Sequence, residues 1–485
     1  MNSNFNLKVD ELFTDSVVSN NTIHIGELDR LTSNLSNIDP NTTSYHYVVQ
    51  TSVSDLLAFT GDTEDISIAN LANLPLFFEN NQDIYIPNKV ERKLDRYIPK
   101  AELKNIDTDH STAVELCLMF LSNLSNSFYL ETDGSKRLNM KILQDQLCIN
   151  ERDTTHKNII NLLIKNKIIT RSEGYIPKVQ SYTYRLTDEF RNKGVKKYKL
   201  ITHRALGLNR SNYFKRLNAA YSNQIGKNLI KLYENIQLPT QEEIWSEGLR
   251  LCNDGYITKK GKKLTFLNKH SKSYWKDSDD RSFVEENIEL YNRLTNDGTQ
   301  FLIPSIGDSN SGGRVVDSFT LMPSWIRNLV KINGVRIDEA DYSALHPNIA
   351  MNIYGGSEEF LTHQKVAEAA NIDLKTSKRE NLSFFNKKWK DMIKSPLFKY
   401  YSETQPVMME NIYRDKEKNK HKITSKRLFK VEVDIMTSVI KRLNEQGIYV
   451  GYVYDALFCN PKQKQIIIQA MNEEILKFGV KTIAK

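Results

Sequence analysis

Two acidic residues stand where carboxylates can do phosphoryl chemistry. Asp341 closes a β-like run, Gly334-Val335-Arg336-Ile337-Asp338-Glu339-Ala340, and the residues after it, Tyr342-Ser343-Ala344-Leu345-His346-Pro347, turn the chain into a helix. Asp455 lies within 447–459, GIYVGYVYDALFC, which reads as two short apolar strands. Two Asp side chains on neighbouring strands can share a pair of Mg²⁺ ions, or Mn²⁺ in their place. Such a pair clamps the attacking and leaving oxygens of an in-line phosphoryl transfer.

Other blocks stand in a set order around these two. Gly312-Gly313-Arg314-Val315-Val316 comes first, then Pro323-Ser324-Trp325-Ile326-Arg327, then Asp341-Tyr342-Ser343. A basic segment intervenes before Tyr454-Asp455-Ala456. This order resembles the family A DNA polymerases (the DNA polymerase I type) and the related phage-type single-subunit RNA polymerases. There, a Gly-Arg block precedes a strand ending in the first catalytic Asp, and a helix with Arg and Lys leads to a hairpin with the second. The resemblance covers about 301–475. It implies a template-directed nucleic-acid polymerase acting on a DNA template and primer with nucleoside triphosphates.

By that resemblance Asp341 and Asp455 are the catalytic, metal-binding pair, with the carbonyl of Tyr342 as a further ligand. Arg314, 27 residues before Asp341, and Arg327 fall to nucleic-acid contact. The short spacing is closer to the DNA polymerase branch. His346 stands five residues after Asp341, where the family screens the 2′ side of the incoming sugar, although His is not the usual residue there. The nucleotide-binding helix corresponds to Asp373–Met392, DLKTSKRENLSFFNKKWKDM. Cations are needed there to neutralise the leaving pyrophosphate. Lys375 and Arg379, four apart, share a helix face, with Lys378 as the alternative. Phe384 or Phe385 would stack on the base pair being formed. The chain departs from the family twice: Asn386-Lys387 replaces a closing Tyr-Gly, and Ala456 stands where a Glu often follows the second Asp. Read without a ligand, the same segment is a solvated basic helix.

The elements that must position these groups are legible in part. Residues 423–446 form an amphipathic helix with Leu428, Val431, Ile435, Val439 and Leu443 on one face, and Glu432 and Asp434 read as its polar side. The cations of 414–430 suit contacts to a nucleic-acid backbone. Upstream, an apolar helix over 113–124 and others over 138–147 and 154–166 precede two strands, 168–171 and 181–186, around Glu173-Gly174-Tyr175. That order resembles the winged-helix family, in which the third helix enters the major groove. Arg152, His156, Lys157 and Arg171 are its candidate contacts to DNA. Residues 191–300 alternate cations with aromatics (Lys196-Lys197-Tyr198-Lys199, Arg210 to Arg216, Lys259 to Lys263), the pattern of a single-strand channel or of solvated helices.

The organisation expected is therefore 1–107 without assigned chemistry, 108–190 winged-helix-like, 191–300 a helical thumb or template channel, and 301–485 palm and fingers. Fold class is α+β: a right-hand polymerase-like palm, an antiparallel sheet with helices, follows a mostly helical N-terminal part that includes the winged helix. The carboxylates Asp62, Glu64 and Asp65 share one polar loop and read as a solvated turn, so no proofreading exonuclease is expected.

Composition agrees with a polyanion partner without demanding one: 485 residues, net charge +8, pI about 8.9. The four cysteines, Cys117, Cys148, Cys252 and Cys459, show no CxxC spacing and read as reduced thiols. No signal peptide or membrane span is legible, so a cytoplasmic protein is expected. Three readings remain open: a DNA polymerase, a single-subunit RNA polymerase or primase, and a winged-helix DNA-binding protein with an inactive palm. A lean polymerase of this kind would suit a phage, plasmid or other mobile element by analogy alone.

Overall fold

The computed structural model describes residues 76–77, 82–125, 134–150, 152–172, 174, 181–191, 194–258, 261–267, 280–357 and 360–485, all within the unit Leu76–Lys485. The loop of Asp62, Glu64 and Asp65 lies outside the described residues, as do Glu173, Tyr175, Lys259 and Lys260.

The chain mixes helices with small, mostly antiparallel sheets. One apolar cluster draws on residues from Ile84 to Ala205. Strand β1 (Asp83–Pro87) opens it, and helix α1 (His110–Ser125) is its centre, buried along almost its whole length. Strand β2 (Ser135–Arg137), helices α2 (Met140–Leu147) and α3 (Thr155–Lys165), and strands β3 (Ile169–Arg171) and β4 (Thr183–Leu186) follow. The three strands form one sheet in the order β2-β4-β3. Strand β2 has no sequence signal, since Ser-Lys-Arg shows no alternation; its pairing to β4 recruits it.

Lys196-Lys197-Tyr198-Lys199 does not lie on a helix. It forms strand β5 (Val195–Lys199), antiparallel to β1. Lys197 pairs with Asp83 at 2.9 Å, and Tyr198 donates to Glu115 at 3.2 Å. Helix α4 (His203–Ser222) carries Arg210 to Arg216, and α5 (Gln224–Tyr233) leads into the second half of the chain.

Around the two aspartates the sheet is three-stranded: β6 (Asp338–Asp341), β7 (Gly451–Val453) and β8 (Ala456–Cys459), in the order β6-β8-β7. Both pairings are antiparallel, with Asp341 opposite Ala456 and Val453 opposite Ala456. Helix α6 (Leu345–Tyr354) follows β6; α7 (His363–Ala369) and α8 (Leu374–Phe384) come next. The basic segment is thus not one helix to Met392. It stops at Phe385, and a separate turn of helix spans Trp389–Met392.

Helix α9 (Ile423–Asn444) is the long support of the sheet, and α10 (Lys464–Leu476) packs beside it in the same core. The buried face of α9 runs through Leu428, Glu432, Ile435, Val439 and Leu443, three and four apart, with Met436 beside them. Among the described residues, no helix is long and apolar enough to cross a membrane.

Candidate active site

Asp341 is the last residue of β6, and Asp455 occupies the two-residue turn between β7 and β8. The register puts them at the same end of the sheet on neighbouring strands, where the Tyr342 N–H donates to the Asp455 carbonyl at 3.4 Å. The free edge of β6 is covered by residues 483–485. The Asp341 N–H donates to the Lys485 carbonyl and the Lys485 N–H to the Asp341 carbonyl, both at 3.1 Å, and Ser343 N–H donates to Ile483 O at 2.9 Å. Two residues beside the aspartates adopt left-handed backbone: Ala344 at φ 51° and Tyr454 at φ 59°. The Tyr342 ring is buried, and its hydroxyl donates to Met471 O at 2.7 Å.

Beside Tyr454 and Asp455 is a charge cluster centred on the buried Glu432 and built by the Gly-Gly-Arg block. Gly312 sits at φ 69°, and a Cβ there would lie 2.5 Å from the Phe429 Cβ. Only a glycine lets this loop approach α9 so closely. The approach lays the Arg314 guanidinium 3.6 Å from the Phe429 ring centroid and 4.4 Å from that of Tyr454. Its Nε and Nη2 donate to Glu432 Oε1 and Oε2 at 2.7 and 2.6 Å, a bidentate pair. His346 Nε2 lies 2.7 Å from the same Oε2.

Glu432 is fully buried. Burial disfavours its charge, but His346 and Arg314 outweigh that and hold the carboxyl below its ordinary 4.5. Asp455 goes the other way: burial first, and then the negative charge of Glu432, push its carboxyl up, against the opposing pull of His346 and Arg314. Asp455 is therefore within electrostatic reach of the whole cluster.

Several expected contacts are not presented to a ligand. Arg327 is 8% exposed; its Nη2 donates to Thr320 O and Met322 O at 3.2 and 2.9 Å, and its guanidinium lies 5.5 Å from the Phe319 ring centroid and 5.3 Å from that of Phe458. The expected nucleic-acid contact by Arg327 gives way to a structural role. Phe384 and Phe385 are buried, with Phe384 stacked on Tyr401 at 5.1 Å, so neither ring faces a base pair. His156 is buried with Nδ1 3.1 Å from Cys148 Sγ, which removes it from the surface that would meet a phosphate. Arg152, Lys157 and Arg171 are exposed, Arg171 lying 4.5 Å over the Tyr182 ring. Lys375, Lys378 and Arg379 are exposed on α8.

Sequence reasoning placed Glu432 on a solvated face, and the structure overturns that. The available signal was its spacing: Glu432 is four residues after Leu428 and three before Ile435, a carboxylate inside an apolar stripe. Such a charge is buried only with partners.

The donor set at the sheet end is two carboxylates among backbone oxygens. Among the described residues, no group of three or more His, Cys, Asp and Glu side chains could hold a metal. Two carboxylates nonetheless suit a hard cation such as Mg²⁺, which keeps several waters and takes substrate phosphates as its remaining ligands.

No known protein family matches the chain, and no curated protein matches it in sequence. Among solved structures it is similar to the POL domain of Pol1 from M. smegmatis in complex with DNA primer-template and dNTP. The TM-score is 0.35 at 10% identity, over 58% of this chain and 73% of that one. That likeness is too loose to carry residue roles or an activity across.

Proposed function

We propose that the chain is a template-directed nucleic-acid polymerase, and specifically a DNA-directed DNA polymerase. The observation that carries this reading is the meeting of Asp341 and Asp455 at one end of an antiparallel sheet, beside the Arg314–Glu432–His346 cluster. Two Mg²⁺ ions, or Mn²⁺, held by Asp341, Asp455 and the carbonyl of Tyr342 supply charge neutralisation at the entering and leaving oxygens when bound. In the reaction the 3′-hydroxyl oxygen bonds to the α-phosphorus and loses its proton to solvent. The bond to the bridging oxygen breaks, and its electron pair leaves with pyrophosphate.

The chain's own residues position the reactants. Glu432 holds Arg314 by Nε and Nη2, so its Nη1 is the donor left to reach a primer or template strand. His346, tied to the same carboxylate, stands at the sugar of the incoming nucleotide. Lys375, Lys378 and Arg379 on α8 offer cations to the triphosphate.

Residues 108–190 are a winged-helix module in this proposal, supported by the order α1-β2-α2-α3-β3-β4 and the sheet order β2-β4-β3. Exposed Arg152, Lys157 and Arg171 would meet DNA phosphates. Residues 191–300 are the thumb or template channel, and 301–485 the palm and fingers.

Primer extension with labelled dNTPs and Mg²⁺ tests the function. Extension is expected on a primed DNA template and lost in Asp341→Asn and Asp455→Asn. Retained extension in either variant would remove the metal assignment. Product from NTPs on an unprimed template would instead make the chain an RNA polymerase or primase. DNA binding without incorporation of any nucleotide would leave an inactive palm.

A further inference from the structure

The segment 482–485 is built into the site. Asp341 and Lys485 exchange both of their backbone hydrogen bonds, each 3.1 Å long. Residues paired in this way project their side chains from the same face of the sheet, with Cβ atoms about 5 Å apart. The Lys485 side chain therefore rises beside the Asp341 carboxylate.

The segment is firmly held. Thr482 Oγ1 donates to Ser343 O at 2.5 Å, Ala484 N–H donates to Asn472 Oδ1 at 2.8 Å, and Thr482 and Ala484 are buried while Lys485 is exposed.

A second cation, Lys378, lies on α8, which packs on His363: Ser377 Oγ donates to His363 O at 3.1 Å, and Asn381 Nδ2 lies 3.3 Å from His363 Nδ1. His363, at the start of α7, is kept unprotonated first by burial and then by the positive charges of Lys378 and Lys485. His363 is thus within electrostatic reach of both Lys378, exposed on α8, and Lys485, exposed at the sheet edge. Neither makes an ion pair with a described residue. A multiply charged anion bound between them would neutralise both ammonium groups.

We propose that Lys485, together with Lys378, binds the β- and γ-phosphates of the incoming nucleoside triphosphate. This makes 482–485 part of the nucleotide site and deepens the polymerase reading, on which it rests. The ammonium of Lys485 neutralises charge that grows on the bridging oxygen as the pyrophosphate leaves.

The test uses the full chain with Lys485→Ala and Lys485→Arg. In primer extension Lys485→Ala is expected to raise KM for dNTP by about tenfold, the scale of one charge-assisted contact. Inhibition by inorganic pyrophosphate should weaken by a similar factor, and Lys485→Arg should restore both. Affinity for primer-template and the denaturation midpoint should not change. A fall in kcat with KM and pyrophosphate inhibition unaltered would mean that the residue only props Asp341, and would overturn the proposal. So would wild-type behaviour of Lys485→Ala. If the wild-type protein incorporates no nucleotide, the polymerase reading fails by itself, and calorimetry with Mg²⁺ and inorganic tripolyphosphate decides this one. Binding by the wild type that Lys485→Ala loses supports the anion site, whereas equal binding or none refutes it.

Discussion

Glu432 is the residue on which the charge cluster depends, and its removal makes a quantitative test. In Glu432→Gln the side chain keeps its shape, but the amide offers one acceptor where the carboxylate offered two. Arg314 Nε and Nη2 lose a bidentate anion at 2.7 and 2.6 Å, and His346 loses a charged acceptor at 2.7 Å. Breaking a buried ion pair from one side costs about 3–5 kcal/mol, because the other charge stays desolvated. The Arg314 side chain is 17% exposed, so water relieves part of that, and about 3 kcal/mol is expected. Arg314→Met should cost a comparable amount, plus about 1 kcal/mol for the lost contacts with Phe429 and Tyr454.

The double variant separates the pair from its surroundings. Removing both partners leaves no stranded charge, so its cost should fall short of the sum of the single costs by about 2–3 kcal/mol. Urea denaturation with linear extrapolation measures all four proteins, provided the slopes agree. A pH series adds a second readout. The folded carboxyl of Glu432 is depressed below 4.5, so its stabilisation is complete above that value and is lost as pH falls through the folded pKa. The gap between wild type and Glu432→Gln should therefore be constant near neutrality and close below about pH 4.5. A coupling under about 0.5 kcal/mol would refute the reasoning, as would a gap that does not close in acid.

Three further outcomes follow from the same geometry. Gly312→Ala should destabilise the protein and weaken primer extension, because its Cβ would strike Phe429. Gly313→Ala, also at positive φ but with its nearest neighbour at 3.8 Å, should cost only the backbone strain of about 1–2 kcal/mol; equal effects would exclude the close-approach argument. His363 has its pKa depressed to about 4 by burial and then by Lys378 and Lys485, so its contribution is present above 6.5 and lost as pH falls toward 4. That should amount to about 1–2 kcal/mol after allowance for partial exposure, and His363→Asn should flatten stability across this window. His346→Ala should raise ribonucleotide incorporation relative to deoxynucleotide; an unchanged ratio would detach His346 from sugar choice.

What could be read from the chain, and what could not, follows from how each signal is encoded. The placement of Asp341 and Asp455 at the ends of neighbouring strands was legible because strands, turns and their acidic ends are local. The supporting helix was legible too, from its spacing between Ile423 and Asn444. Glu432 was missed because amphipathic reasoning assigns every charge outward, and its partners are 118 and 86 positions away. The phenylalanines of α8 were misplaced for an opposite reason. Ser377, Asn381 and Phe384, four and three apart, form the buried face, so the rings turn inward while Lys375, Lys378 and Arg379 remain exposed. Reading 373–392 as a list of useful residue types obscured that the cations and the rings occupy different faces. Strand β2 and the pairing of 483–485 with β6 were invisible, since both exist only through contacts distant in sequence.

The backbone around the aspartates explains why so much of the support comes from elsewhere. Ala344 and Tyr454, neither of them glycine, occupy left-handed conformations that cost about 1–3 kcal/mol each and persist only where the surroundings enforce them. At Tyr454 the enforcement is visible: the φ of 59° turns the chain between β7 and β8, leaves Asp455 at the tip, and sets the ring 4.4 Å from the Arg314 guanidinium. At Ala344 the chain leaves β6 and enters α6 within three residues of Asp341, which sets His346 against Glu432. The same two turns that carry the strain therefore aim the groups that the proposed polymerase reaction would use. A glycine at either position would relax the backbone, but would also release the geometry that holds a carboxylate, an imidazole and a guanidinium around one point.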